Sequence, residues 1–270
     1  MLRLLAISAA LTAGLYALIA PLERRMVYPF DATQISPAEA GEPRLREIAL
    51  PFDGQTLILW AAAPKPGQPT LLYFHGNAGN LANRLGRFRH FLDRGYGLIA
   101  PAYRGSSGSS GKPNEPALTA DALHIYQSAS HLIPGQNPAH LMIYGESLGA
   151  ALALTLAAQN PAAMILEAPF TSLPEVAAHL YPPLAPLTRH MHNQWPSLAK
   201  AQTLTMPLLI LHGTDDTLIP IEMGRQIHSA APSRDKTMLA VPGAGHTDLW
   251  RSDTLPRLWR FISDYSVNIR

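Results

Sequence analysis

From residue 70 to residue 265, short apolar runs alternate with amphipathic stretches of helical length, and that rhythm limits the possible fold more than any other feature of the chain. The runs are PTLLYFHG, YGLIAPAY, HLMIYG, AMILEAP, PLLILHG and TMLAVPG; helical patterns fall at residues 81–94, 116–132, 148–160, 221–231 and 249–265. Parallel neighbours in a sheet need a crossover, usually a helix, so this order predicts a mostly parallel α/β sheet covered by helices on both faces. Ahead of it, REIALPF and TLILWAA flank Asp53-Gly54, a turn pair that predicts an antiparallel hairpin at the leading edge. The expected total is about eight strands.

Residues 171–205 break the rhythm with prolines, Trp195 and three histidines. A segment of about 35 residues is too small to fold alone, so it is expected as a short cap over a pocket mouth, with a long connection packed on the sheet edge as the rival reading.

At the start of the chain, residues 4–22 carry no charge. As a helix they would span about 28 Å, just short of a bilayer core of roughly 30 Å. The expectation is therefore an N-terminal membrane anchor over residues 1–25, with a cleaved signal peptide and a buried helix as rivals. Residues 31–44 read as a connector, and residues 26–270 as the globular domain.

Composition narrows the chemistry. There are no cysteines, which removes thiolate nucleophiles, disulfides and zinc-thiolate sites, and a net charge of +2 is too small for a nucleic-acid partner. Any nucleophile must be an oxygen or a nitrogen. Gly145-Glu146-Ser147-Leu148-Gly149 is a G-x-S-x-G following a strand-like run and opening Ala-rich helical sequence, the context in which a serine is turned out of a sharp strand-to-helix bend. Such a serine needs a base, and the base needs an acid to fix its tautomer. The later strand-end loops supply Asp215 and Asp216 in LHGTDDTLIP and His246 in VPGAGHTD, in the chain order serine, acid, histidine. Oxyanion donors are expected from the Leu148 N–H and from the loop His75-Gly76-Asn77-Ala78-Gly79-Asn80, where Asn77 is favoured and His75 is read as a brace.

Other conspicuous residues are read as structure. The Gly/Ser-rich loop at residues 103–112 fails the Walker pattern, because Ser106 and Pro113 stand where Gly and Ser/Thr are required. Asn114 is expected to cap the next helix, Asp248 to cap the last one, and Trp250 and Trp259 to pack from it. His190 and His192 lack the further ligands that a metal site would need and are assigned to the cap surface.

HGNAGN, YRGSSGSSGKPNEPALTADA, GESLGA, HGTDDTLIP and GAGHTD follow one another within residues 26–270 and resemble successive motifs of the α/β-hydrolase superfamily, in particular its small, N-terminally membrane-anchored serine hydrolases. The Leu-rich start running into RRMVYPF is also similar. In that group the pattern HGxxDxxxP puts the acid four residues after the histidine, which from His212 selects Asp216. The resemblance implies Ser147 as nucleophile, His246 as base, Asp216 as its orienting acid, the Asn77 and Leu148 amides as oxyanion donors, and no cofactor. It implies hydrolysis of carboxylic esters or thioesters, while the N-terminal segment and the short cap together favour lipophilic acylated substrates on a single-pass membrane protein whose catalytic side is open, the extracytoplasmic side being favoured. The alternatives are a peptidase or amidase of the same fold, or an inactive binding protein.

Overall fold

The computed structural model describes Pro21 and residues 23–266. Its eight-stranded sheet runs in the order β1-β2-β4-β3-β5-β6-β7-β8. The strands are β1 Arg46–Phe52, β2 Gln55–Ala62, β3 Thr70–Phe74, β4 Gly97–Pro101, β5 Leu141–Glu146, β6 Ala163–Glu167, β7 Leu208–Gly213 and β8 Lys236–Val241. The pairs β1/β2 and β2/β4 are antiparallel, and the remaining pairs are parallel. This is the expected layout, with the hairpin turning at Asp53-Gly54.

The period-two rule divides the strands' side chains between two cores. Leu72, Phe74, Ile143, Leu166 and Ile210 face the helices α2 (Glu115–Gln127), α4 (Leu148–Leu154) and α8 (Ile221–Ala230). Leu71, Tyr73, Met142, Tyr144 and Ile165 face α1 (Leu85–Asp93) and α9 (Leu255–Ser266). Both faces of the central strands are therefore buried, which is why these runs read as unbroken apolar sequence. The single-turn helix α3 (Ala129–Leu132) leads from α2 toward β5. Asn114 caps α2 as expected, its side chain accepting from the Ala117 N–H at 2.9 Å.

Between β6 and β7 the cap folds as α5 (Leu173–Leu180), a 3-10 turn at Pro182–Leu184, α6 (Ala185–Thr188) and α7 (Ser197–Ala201). It is pinned to the domain by polar contacts at its base. Glu115 accepts from the backbone N–H groups of Gln194 (2.6 Å) and Trp195 (2.8 Å), and the buried Trp195 indole donates to the Tyr28 hydroxyl at 3.1 Å.

The expected membrane location is corrected here. Among the described residues no helix is long and apolar enough to cross a membrane. The anchor expected over residues 1–25 lies outside the described residues except at its end, and that end belongs to the folded domain. Glu23 is buried, and its carboxylate accepts from the backbone N–H groups of His192 (2.8 Å) and Asn193 (2.7 Å). Val27 and Tyr28 enter the core, Phe30 bridges to Gly79, and Asp31 accepts from the Asn80 side chain at 2.7 Å. The stretch just before residue 31 thus packs between the cap and the loop after β3.

The last helix also differs from its expected start. It begins at Leu255, so Trp250 and Asp248 lie in the loop before it. Asp248 closes that loop instead, accepting from the Gly245 N–H at 2.7 Å, while Trp250 turns its indole N–H inward to Tyr144 and Glu167.

Candidate active site

The sharp turn foreseen in G-x-S-x-G is present. β5 ends at Glu146, α4 begins at Leu148, and Ser147 lies between them at φ 54° and ψ −113°, a strained conformation for a residue with a Cβ. The neighbours hold it there. The Ser147 N–H donates to the Glu167 carbonyl at 2.8 Å, and a Cβ on Gly149 would overlap the Phe74 carbonyl oxygen of β3. Only glycine lets the helix start approach the sheet so closely.

The His246 side chain lies between Ser147 and Asp216. Its Nε2 lies 3.0 Å from Ser147 Oγ and its Nδ1 2.7 Å from Asp216 Oδ2. Asp216 Oδ1 accepts from the backbone N–H groups of Leu218 (3.0 Å) and Ile219 (2.8 Å), so the carboxylate cannot rotate without losing both. Burial alone would raise the Asp216 pKa, but hydrogen bonds from His212, His246 and the Ile219 N–H prevail and hold it well below the usual carboxylate range. Asp215, the alternative acid, turns away and accepts from the Thr214 hydroxyl at 2.9 Å. The two loops are packed together, since the Asp215 N–H donates to Ala244 O at 2.9 Å and a Cβ on Gly213 would strike the same carbonyl.

Asn77 and Leu148 both line the cavity beside Ser147. The Leu148 N–H opens α4 and so has no carbonyl one turn earlier to bond. The Asn77 loop is held by its surroundings: the Asn77 side chain donates to Val27 O at 3.3 Å, and Asn80 forms a reciprocal capping box with Asn83. His75 is fully buried against the Tyr103 ring, its Nδ1 2.6 Å from Gly76 O, while the Tyr103 hydroxyl donates to His75 O at 2.6 Å.

Burial first, and then the Arg84 charge, push the His75 pKa down from 6.5 to about 3. This imidazole is neutral in the fold but can protonate when the chain unfolds. The unfolded state therefore binds more protons between the two values, and stability falls on acidification through that window by up to about 1.4 kcal/mol per pH unit. Urea unfolding of wild type and His75→Asn at about pH 7 and about pH 5 measures it: the wild type is expected to lose more stability than the variant, and equal losses would contradict the assignment.

A cavity of about 660 Å³ opens at Ser147. Its wall is largely apolar, with Phe170 beside Leu173 and Val176 of α5, Leu187 of α6, and Val27. Among the described residues, the exposed large apolar side chains Met26, Leu180, Tyr181, Leu184, Leu187 and Leu218 all belong to this wall. His190 also lines it, and the buried carboxylate of Glu23 is held on it by Asn193 and His192. No group of three or more metal-ligating side chains occurs among the described residues.

Sequence reasoning missed a buried charge cluster on the opposite face of the sheet ends. Glu146 and Glu167 stand side by side on β5 and β6. Glu167 is gripped by both terminal nitrogens of Arg87, and it also accepts from the Tyr144 hydroxyl and the Trp250 indole. Glu146 accepts from the Tyr73 hydroxyl at 2.8 Å and ion-pairs with Arg84 at 3.1 Å. Burial would raise the Glu146 pKa, but Arg87, Arg84 and Tyr73 hold it below the usual range and keep it ionised. The only signal in the sequence was a glutamate in the variable position before the serine.

Sheet order, the sharp turn at Ser147 and the strand-end loops together define an α/β-hydrolase. The serine aminopeptidase S33 family matches residues 66–200 and 196–250, and the chain belongs to that family. It is 33% identical to the uncharacterized Mycobacterium tuberculosis protein Rv2307c, over 98% of this chain and 96% of that one. It is 32% identical to the lysophosphatidylserine lipase ABHD12 of Bos taurus over 77% of this chain, a match that spans 58% of that longer protein. Among solved structures, the Pyrococcus furiosus esterase Pf2001 superposes with a TM-score of 0.70 at 15% identity, covering 88% of this chain and 99% of that one.

Proposed function

We propose that this protein is a serine hydrolase that cleaves carboxylic esters or thioesters of lipophilic acids through an acyl-enzyme. The observation that carries this reading is the unbroken contact series from Ser147 Oγ through His246 to Asp216 at one end of an apolar cavity. Ser147 Oγ attacks the acyl carbon as His246 Nε2 takes its proton, and Asp216 stabilises the resulting imidazolium. The oxyanion is received by the backbone N–H groups of Leu148 and Asn77. Collapse expels the alkoxide or thiolate, which leaves with the proton from His246. A water deprotonated by His246 then releases the carboxylic acid and restores Ser147.

An apolar wall suits an acyl chain rather than a charged peptide. The carboxylate lining the cavity, Glu23, is engaged by Asn193 and His192, which weighs against its serving a substrate amine. The lipase and esterase activities named for the similar proteins support the same class.

A series of p-nitrophenyl esters from acetyl to decanoyl tests this. Each methylene moved from water into the cavity contributes up to about 0.8 kcal/mol, so kcat/KM is expected to climb by up to about fourfold per carbon until the cavity is filled. Fastest turnover of the acetyl ester would contradict the assignment.

A further inference from the structure

We infer that Arg84 and Glu146 form a strut that sets the distance between the two halves of the oxyanion hole, and that both are positioning residues for the reaction. The inference rests on the ester-hydrolase reading above, with the Asn77 and Leu148 amides as donors. Those amides belong to separate elements, the loop after β3 and the start of α4, and a hole works only if both point at the same oxygen. Arg84 touches both elements. Its Nε lies 3.1 Å from Glu146 Oε2, one residue before Ser147, and its Nη2 donates to the Ala78 carbonyl at 3.3 Å, one residue after Asn77.

The other end of the strut is equally fixed. Glu146 is held by the Tyr73 hydroxyl at 2.8 Å and lies 3.8 Å from Arg87, which is itself locked to Glu167. Gly76 completes the contact from the loop side, because a Cβ there would come within 3.0 Å of the Glu146 carboxylate. The loop's outer side is bound to residues 27–31 through Asn77 to Val27 O and Asn80 to Asp31. Arg84 and Glu146 supply the inner constraint, the one that refers the loop to the nucleophile.

A positioning role predicts a loss specific to the transition state. In the full-length protein, Glu146→Gln and Arg84→Met are each expected to lower kcat by about tenfold or more with KM within about twofold, and the double variant to be no worse than the poorer single. Affinity for an alkyl boronic acid, which forms a tetrahedral adduct on the serine, is expected to weaken with kcat/KM. Arg84→Lys keeps the charge beside Glu146 but lacks the second nitrogen that reaches Ala78, so it is expected to stay folded and still lose kcat. Full kcat in Arg84→Lys and Glu146→Gln would overturn the strut, as would losses that multiply in the double variant. A shifted acid limb of the pH profile with unchanged boronate affinity would overturn it too, by showing that Glu146 acts through its charge on His246. If wild type shows no Ser147-dependent turnover, the ester-hydrolase reading itself fails, which is a different result from an active wild type with indifferent strut variants.

Discussion

Ser147→Ala is expected to lower kcat for ester hydrolysis by on the order of 10⁵- to 10⁶-fold while leaving the fold intact. The size follows from the site's construction. With the nucleophile removed, the oxyanion donors and the cavity can still bind an ester, but His246 could only direct a water that the site does not position, so a small residual rate above the uncatalysed one remains. The fold should not suffer. Alanine keeps the Cβ, and the hydroxyl's hydrogen-bond partner in the structure is the His246 side chain. Relief of the positive φ is not expected, since Ala and Ser are equally strained there. Steady-state kinetics with a thermal melt checks both parts: a variant retaining a tenth of wild-type kcat would exclude Ser147 as nucleophile.

Asp216→Asn is expected to cost about 10³- to 10⁴-fold in kcat, by placing the proton on the wrong nitrogen. The Leu218 and Ile219 N–H groups bind Asp216 Oδ1 and would select the amide oxygen of an asparagine, leaving its NH₂ facing His246. His246 Nδ1 would then have to accept, its proton would move to Nε2, and Nε2 could no longer take the proton from Ser147. His212 adds to the penalty, since its Nε2 lies 3.5 Å from Asp216 Oδ2 and also 2.8 Å from Ile219 O, to which it donates. Because the Asp216 carboxyl sits well below the usual range, it stays ionised in mild acid. Its contribution to stability is present above its unfolded pKa and is lost only as pH falls through the lower folded value. Steady-state kinetics of Asp216→Asn at about pH 7 checks the catalytic cost, and a variant within about tenfold of wild-type kcat would contradict it.

The parts of the site that could be read from the sequence are those encoded locally. A serine between a strand and an Ala-rich helix, an acidic pair just after one later strand and a histidine in a Gly-rich loop after the next are short patterns whose residues lie within a few positions of one another. The alternation of apolar runs and helical stretches likewise follows from burial of both sheet faces. What escaped is encoded by contacts distant in sequence. Glu23 meets Asn193 across 170 positions, and Arg87 meets Glu167 across 80, so no local pattern marks either pair. The apolar beginning of the chain led to a membrane location because hydropathy alone cannot show that its charged end, Glu23, is buried against the cap. The amphipathic pattern continues upstream of Leu255 and so predicts Trp250 in the last helix, while the Asp248 hydrogen bond to Gly245 holds that stretch as a loop.

The central claim is that Ser147 is an activated nucleophile, and covalent labelling of the purified protein with a fluorophosphonate tests it most directly. Intact-mass and peptide mapping are expected to find one phosphonyl group on Ser147, absent in Ser147→Ala and formed far more slowly in Asp216→Asn. Folded wild-type protein that takes no label, or a label that maps to another residue, would contradict the account.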